Sequence, residues 1–116
     1  MISPPLTIKN EELWRKQCRK VRALAQRIIE GKVGVIEGSR QMLTFQIWLH
    51  AHADGSFRIF RVVDSISKDL PVGKVGALWA PAVLEEKKVK IQEVEDLYRS
   101  SVIDAAGAIK EKYQTE

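Results

Sequence analysis

Glu37 and Arg40, in the stretch IEGSR, are the residues whose spacing best suits a chemical role. On a helix they lie one turn apart, and Arg40 falls on the same stripe as Ile36, Leu43 and Ile47, which we expect to face the core. An arginine on such a face needs a partner, because burying an unpaired charge is costly. We favour a partly buried ion pair with Glu37 or with Asp64. The alternative is that Arg40 anchors a carboxylate or phosphate ligand, which suits its planar guanidinium.

The four residues GKVG occur twice, at 31–34 and at 73–76, and resemble part of a phosphate-binding loop. Such a loop follows a strand and reads G-x-x-x-x-G-K-[ST], since a hydroxyl group must reach the magnesium ion. Valine follows the lysine in both copies, so neither copy fits. We interpret the first copy as the end of a helix and the repeat as coincidence. An anion bound at the N-terminus of the next helix, near Gly34, is the alternative.

His50 and His52 are the two histidines of the chain and are separated by one residue. On a strand both rings would lie on one side, a spacing that zinc sites use, whereas on a helix they point to different sides. Cys18 is the single cysteine, which excludes an internal disulfide and a cysteine-rich zinc site. We therefore predict no metal and no cofactor, and we assign no catalytic residue.

Basic residues are concentrated in the first helix of a chain whose net charge is +4. The candidate face for binding an anion or nucleic acid consists of Arg15, Lys16, Arg19 and Lys20. Side chains of this kind neutralise backbone phosphates and give salt-dependent binding. No recognition motif accompanies them, so we favour a solvated helix face, with nucleic-acid binding as the alternative.

Two helices are predicted in the first half of the chain, and a shorter one follows them. Asn10 is a suitable N-cap for the first helix, and Gly31 is a typical stop. Residues 35–51 have the 3.6-residue periodicity of a second helix. The stretch SFRIFRVVDSIS then forms a third helix, whose inward residues are Phe57, Phe60 and Val63.

A β-hairpin at about 43–63 is the rival interpretation of the second and third helices, and it would make the fold α+β. Alternate residues from Leu43 to Ala51 are apolar, as in a strand, and Asp54-Gly55 is a typical hairpin turn. We favour the helix because good helix formers fill its first half, namely Glu37, Arg40, Gln41 and Met42.

The last helix is predicted to begin at Pro81, after the proline- and glycine-rich loop KDLPVGKVGALWAP. Trp79 could pack on Leu84 as a hydrophobic staple. The apolar face of this last helix continues almost to the end of the sequence, so the helix has about 30 residues and a length of roughly 45 Å. A helix of this length either overhangs a small core or runs along a second copy. We therefore predict a homodimer with Tyr98 and Val102 at its interface.

Three segments, IIEGKVGVIEGSR, VVDSISKDLPVG and ALWAPAVLEEKKVKIQEVE, together resemble a family of short bacterial proteins of unknown function. Members of that family show an ILxG…IEGxR segment, an IDSETDxLPxG segment and a W-x-P-x-x-L helix start. The matching residues are Glu37, Gly38, Arg40, Asp64, Ser65, Leu70, Pro71 and Gly73. Ile66, Ser67 and Lys68 replace the acidic run of the second segment, which argues against an acid cluster there. The resemblance covers most of residues 28–96 and implies a mainly helical fold, but no activity.

The sequence thus predicts an all-α fold, a small bundle of three to four helices over residues 1–116 with a long C-terminal helix. No segment is apolar enough to span a membrane and the N-terminus lacks a secretory signal pattern, so we expect a cytoplasmic protein. The predicted function is a protein-interaction domain that self-associates, with nucleic-acid binding as the alternative. A third interpretation is a small hydrolase or ligand site formed by Glu37, Arg40, Asp64 and Ser65.

Overall fold

The computed structural model describes residues 2–72 and 80–115, and within them every regular element is helical. The described residues form the helices α1 (Glu11–Ile29), α2 (Val35–Trp48), α3 (Arg58–Ile66) and α4 (Pro81–Lys112), with a short 3₁₀ turn, Gly55–Phe57, before α3. The predicted all-α fold with a long C-terminal helix is therefore confirmed. No helix of the described ranges is long and apolar enough to cross a membrane.

The rival prediction of a β-hairpin at 43–63 is wrong. Asp54 and Gly55, which would form the turn of that hairpin, instead begin the 3₁₀ turn. The Asp54 carboxylate accepts a hydrogen bond from the backbone N–H of Ser56 at 2.9 Å, and this contact caps the helical turn. The inward residues predicted for the third helix are fully buried: Phe57, Phe60 and Val63.

α1 begins and ends where its capping residues predict. Asn10 Oδ1 accepts a hydrogen bond from the backbone N–H of Leu13 at 3.0 Å. Gly31, just beyond the last turn, has a φ of 74°, a conformation that glycine adopts at no steric cost. One stripe of α1 is buried in the core and packs mainly against α4: Trp14, Cys18, Val21, Leu24, Ala25 and Ile28.

α2 buries a face that is rotated relative to the predicted one. The sequence pattern predicts an inward face of Ile36, Leu43 and Ile47, with Arg40 on the same stripe. The buried residues of α2 and its cap are instead Val35, Ile36, Gly38, Ser39, Met42, Gln46 and Leu49. Ile47, which the pattern places inward, is exposed. The predicted inward face is therefore wrong at Ile47, in the last turn of α2.

Small and polar residues explain the rotation of α2. Gly38 brings α1 close, because a Cβ at that position would lie only 2.8 Å from Cγ1 of Ile28. The Ser39 hydroxyl donates to the backbone carbonyl one turn earlier at 2.7 Å. The buried Gln46 donates from Nε2 to the backbone carbonyl of Ala51 at 3.1 Å. Polar side chains with such partners are buried at little cost, so hydrophobicity alone does not predict the inward face.

α4 has 32 residues and matches the longest dimension of the molecule, 48 Å. Pro81 occupies its first turn, as predicted. The predicted staple cannot be followed, because Trp79 lies outside the described residues. Val102 is fully buried within the single chain, so the prediction that it faces a second copy is wrong, and Tyr98 is half-buried against the same core. The other buried residues of α4 are Val94, Ala106 and Ile109.

Candidate functional site

Arg40 and Asp64 lie together, but they form a closed structural contact. Arg40 Nε is 3.5 Å from Asp64 Oδ1. Arg40 Nη2 also donates to the backbone carbonyls of Ser67 and Leu70, the latter at 3.4 Å. Carbonyls at the end of a helix lack intrahelical partners, and an arginine that binds them stabilises that end. Arg40 therefore ties α2 to the end of α3.

Glu37 and Ser65, the other members of the predicted polar cluster, do not join this contact in the described structure. Glu37 is half-buried and Ser65 is exposed. None of the cavities considered below is lined by any of the four residues of the predicted cluster. The geometry therefore favours the ion-pair interpretation of Arg40 over the ligand anchor.

The N-terminus of α2 holds an anionic group from the chain itself. Glu95 Oε2 accepts a hydrogen bond from the backbone N–H of Val35 at 2.6 Å. A Cβ at Gly34 would lie 2.9 Å from Glu95 Oε1, so the glycine makes room for the carboxylate. A carboxylate is favourable there because it satisfies a free N–H group and complements the helix dipole. Glu95 thus occupies the N-terminus of α2, where an external anion is the alternative prediction. The second GKVG copy, residues 73–76, lies outside the described residues.

The basic face of α1 is partly neutralised within the chain. Arg15 Nη2 lies 2.8 Å from Glu11 Oε1, an ion pair one helical turn apart. Lys16, Arg19 and Lys20 are exposed, and we call them the basic strip. Two residues of the basic strip line a shallow cavity of about 250 Å³, whose other lining residues are Asn10, Glu12 and Leu13.

A cavity of about 550 Å³ opens between the start of α1 and the end of α2, and we call it the groove. The segment that precedes α1 forms a third side, through Thr7, Ile8 and Lys9. The helical residues that line it are Leu13, Trp14, Gln17, Ile47 and Trp48, with His50 just beyond α2. Its volume lies within the range of cavities that bind ligands in proteins.

Large apolar side chains around the groove are exposed to solvent. Leu13, Ile47 and Trp48 are 50%, 59% and 51% exposed. The ring of Trp48 packs edge-on against Phe45, with 5.5 Å between the ring centroids. Single exposed apolar residues are ordinary on protein surfaces, but a cluster around a concavity is typical of an interaction site.

Two buried polar atoms of groove residues have no hydrogen-bond partner among the described residues. They are the donor Trp14 Nε1 and the acceptor Gln17 Oε1. The two residues are neighbours on one side of α1, because they lie three positions apart. An unsatisfied buried polar atom costs about 1–3 kcal/mol.

His50 borders the groove in an unfavourable backbone conformation, with a φ of 54°. The backbone N–H of His50 donates to the backbone carbonyl of Ile47 at 3.1 Å, and the backbone N–H of Ala51 donates to the backbone carbonyl of Gln46 at 2.9 Å. These two bonds form the Schellman pattern of a helix end. His50 Nδ1 lies 2.8 Å from Thr7 Oγ1. A side chain in the left-handed region costs about 1 kcal/mol or more, and such strain is frequent at functional sites.

The two histidines do not form a common site. The Thr7 hydroxyl beside the His50 ring resembles a nucleophile next to a base. A catalytic base of this kind is normally oriented by a third group, and among the described residues the only side-chain hydrogen bond of His50 is the one with Thr7. His52 lies on a separate cavity of about 170 Å³ with Asp54 and Arg61. No group of three or more potential metal ligands is found among the described residues.

The buried titratable groups have structural roles. Asp54 Oδ2 accepts a hydrogen bond from the Tyr113 hydroxyl at 2.7 Å and lies 2.9 Å from Lys112 Nζ. Burial raises the pKa of Asp54, but the contacts of its carboxylate with Lys112, Tyr113 and Ser56 outweigh burial and hold the pKa below its ordinary value. Burial and the Asp54 carboxylate raise the pKa of Tyr113. Burial raises the pKa of Cys18 to about 11, so its thiol is neutral and unreactive.

Ile47 is predicted to face inward, and no binding role is predicted for Leu13, Gln17 or Trp48. A signal for the groove is nevertheless present in the sequence. Ile47 and Trp48 are adjacent bulky residues near the end of a helix, and adjacent residues point in directions about 100° apart. A narrow buried face therefore cannot hold both of them.

Comparison of the chain with protein-family models, with curated proteins and with solved structures gives no match. The resemblance to short bacterial proteins is not tested by this result and stays a prediction. The geometry of the groove is therefore the basis on which a function is proposed.

Proposed function

We propose that this chain is a protein-interaction domain that binds a partner in the groove. The observation that supports it is the orientation of α2, which buries Ser39 and Gln46 and leaves Ile47 and Trp48 exposed. Burial of apolar area stabilises a complex or a fold by about 25 cal/mol per Å², and the exposed side chains of Ile47 and Trp48 beside the groove are apolar area that a partner can bury. Exposed aromatic and aliphatic side chains around a concavity supply the anchoring contacts of protein interfaces.

Selection of peptides from a random library displayed on phage, with the whole chain immobilised, tests this proposal. We expect the enriched peptides to bind with an affinity that falls at least about ten-fold in the Trp48→Ala variant, since a buried interface tryptophan typically dominates binding energy. Because Trp48 is half exposed in the free chain, the variant should keep its fold, and circular dichroism checks this.

A matched pair of substitutions provides the control. Ile47→Ser removes an exposed β-branched side chain inside the groove, whereas Val62→Ser removes one from α3, where Val62 is 40% exposed. Only the first substitution should weaken peptide binding. Peptides that bind the parent, Trp48→Ala and Ile47→Ser chains equally well would contradict the proposal.

Self-association through α4 is a second candidate function, and exposed apolar residues on that helix favour it. Val89 and Leu97 are 66% and 71% exposed, and they replace the buried Val102 as the candidate contact residues. Sedimentation velocity should then give the mass of a dimer, and Leu97→Glu should convert it to a monomer. A monomeric parent chain over the accessible concentration range would rule out this second function.

A further inference from the structure

We infer that the partner segment is acidic, with apolar side chains flanked by aspartate or glutamate, and that it belongs to a different protein. This inference rests on the proposed function and adds the chemistry of the partner to it. Positive charge on the groove and on the shallow cavity beside it supports the inference, because that charge adjoins the apolar side chains of the groove.

Three exposed cations lie on the groove or on the cavity that adjoins it at α1. Lys9 lines the groove itself. Lys16 and Arg19 line the shallow cavity, which shares Asn10 and Leu13 with the groove. These three side chains take no part in the ion pairs of the described residues. They are therefore available to carboxylates of a partner.

Nearby acidic residues do not cancel this positive charge. The Glu11 carboxylate is already paired with Arg15. Glu12 also lines the shallow cavity, but its single negative charge is smaller than the two positive charges of Lys16 and Arg19 in the same lining. Charges of one sign around an apolar cleft raise the local concentration of oppositely charged partners.

The two cavities lie side by side, because Leu13 and Asn10 belong to both. Apolar side chains of a partner would enter the groove of about 550 Å³, and an adjoining acidic residue would lie over the shallow cavity of about 250 Å³. This is the arrangement by which an amphipathic segment binds in a hydrophobic groove.

A second copy of this chain is a poorer occupant. In a two-fold dimer through the groove the same surface meets itself, so the positive patch of Lys9, Lys16 and Arg19 would face a second positive patch. The net charge of +4 opposes such an approach further. A nucleic acid would pair with the cations but would leave the apolar side chains of Leu13 and Ile47 without apolar contacts.

Three synthetic peptides of about 15 residues test the inference. They share one apolar face of leucine and phenylalanine, and their polar positions are all glutamate, all glutamine or all lysine. Fluorescence anisotropy of labelled peptides should give the glutamate peptide at least about ten-fold higher affinity than the lysine peptide. The difference should narrow as salt rises from about 50 mM to about 500 mM, because exposed charges are screened.

Charge reversal on the chain provides the decisive variant. Lys16→Glu with Arg19→Glu should reverse the order of the three peptides. Arg27→Glu with Lys90→Glu changes the net charge equally, but it does so at exposed positions at the far end of α1 and on α4, and should leave the order unchanged. Reversal by both double variants would show a general charge effect and overturn the inference.

The remaining outcomes separate this inference from the proposed function. If all three peptides bind equally well and Trp48→Ala abolishes their binding, the inference of an acidic partner is overturned, whereas the proposal that the groove binds a partner is supported. Binding unaffected by Trp48→Ala, or no binding of any peptide, would count against the groove itself. An oligonucleotide that displaces the glutamate peptide and depends on both Trp48 and Lys16 would make a nucleic acid the occupant and overturn the inference.

Discussion

α1 and α2 are neighbours that run in opposite directions, and the two ends of their interface differ. At the closed end, where α1 stops and α2 starts, Gly38 admits Ile28 at close range and Glu95 caps the first turn of α2. At the open end, where α1 starts and α2 stops, Ile47 and Trp48 stay exposed and the helices are separated by the groove. The two helices are in close contact at the closed end, whereas a cavity of about 550 Å³ lies between them at the open end.

The helix stops at these two ends have the same hydrogen bonds but different residues. Each stop has one bond of 3.1 Å and one of 2.9 Å in the Schellman pattern. Gly31 adopts the left-handed conformation at the end of α1, and His50 adopts it at the end of α2. Glycine takes that conformation without strain, whereas a histidine pays a steric cost. The strained stop is the one that borders the groove.

The largest expected effect is at the closed end. Gly38→Val should lower the free energy of unfolding by about 3 kcal/mol, because the new side chain overpacks the contact with Ile28. Urea denaturation measures the loss. Gly107→Val in α4 is the control, since a Cβ there meets nothing within 4 Å, and it should change stability by less than about 1 kcal/mol. Equal stability of the two variants would contradict the close contact.

The segment beyond the open end is anchored by Asp54, and Tyr113→Phe should weaken that anchor. We expect a loss of about 1.5 kcal/mol, because a hydrogen bond to a charged group disappears. Tyr98→Phe is a matched control on the same helix, and its hydroxyl makes no hydrogen bond with the described residues. If both variants lose the same amount, the Asp54 contact is not the cause.

The same contact predicts a pH dependence of the Tyr113→Phe effect. The pKa of Asp54 is lowered in the folded chain, so its contribution to stability is present above the unfolded pKa of about 4 and is lost on further acidification. The pKa of Tyr113 is raised, so its contribution is present below about pH 10 and is lost above it. Thermal unfolding of parent and variant should differ most between these limits. A difference that does not vary with pH would contradict this assignment.

A smaller effect is expected from the cap that Glu95 provides at the closed end. Glu95→Ala should cost about 1 kcal/mol relative to Glu93→Ala, which removes an exposed glutamate from the same helix. Affinity for peptides at the open end should be the same in both variants. Weaker peptide binding in Glu95→Ala alone would show that the two ends are coupled.

The smallest net effect is expected at the two helix stops. His50→Gly should change stability by less than about 1 kcal/mol, since relief of strain offsets the lost contact with Thr7. His50→Ala should be about 1 kcal/mol less stable than His50→Gly, and Gly31→Ala should lose a similar amount. Chemical denaturation of the four chains decides this. Equal stability of the two His50 variants would mean that this stop is not left-handed.

Most helix boundaries follow from local sequence signals. The side chain of Asn10, the backbone freedom of Gly31 and the ring of Pro81 each act within one helical turn, and the structure has the three ends within a residue of where these signals predict. The prediction for the end of α2 is less accurate: the helix ends at Trp48, whereas the predicted end is Ala51. His50 ends the helix in the left-handed conformation, which is uncommon for a residue other than glycine.

The face of α2 and the groove do not follow from such signals. A hydrophobic pattern ranks Ile47 above Gln46 for burial, yet Gln46 is buried because the carbonyl of Ala51 and the guanidinium of Arg61 satisfy its side-chain amide. Those partners are supplied by the folded chain, and no periodicity reveals them. The groove residues come from three separate segments, so their proximity is equally invisible in the sequence.

The sequence alone therefore establishes an all-α chain, both ends of α1, the start of α4 and the basic character of α1, because capping, backbone freedom and charge belong to single residues and their near neighbours. The tertiary structure determines which face of α2 is buried, that Val102 belongs to the core, and that the start of α1 and the end of α2 enclose a groove. The physical reason is that the burial of a side chain depends on its own helix and also on the element that packs against it. A side chain becomes a core residue or a binding residue according to what packs against it.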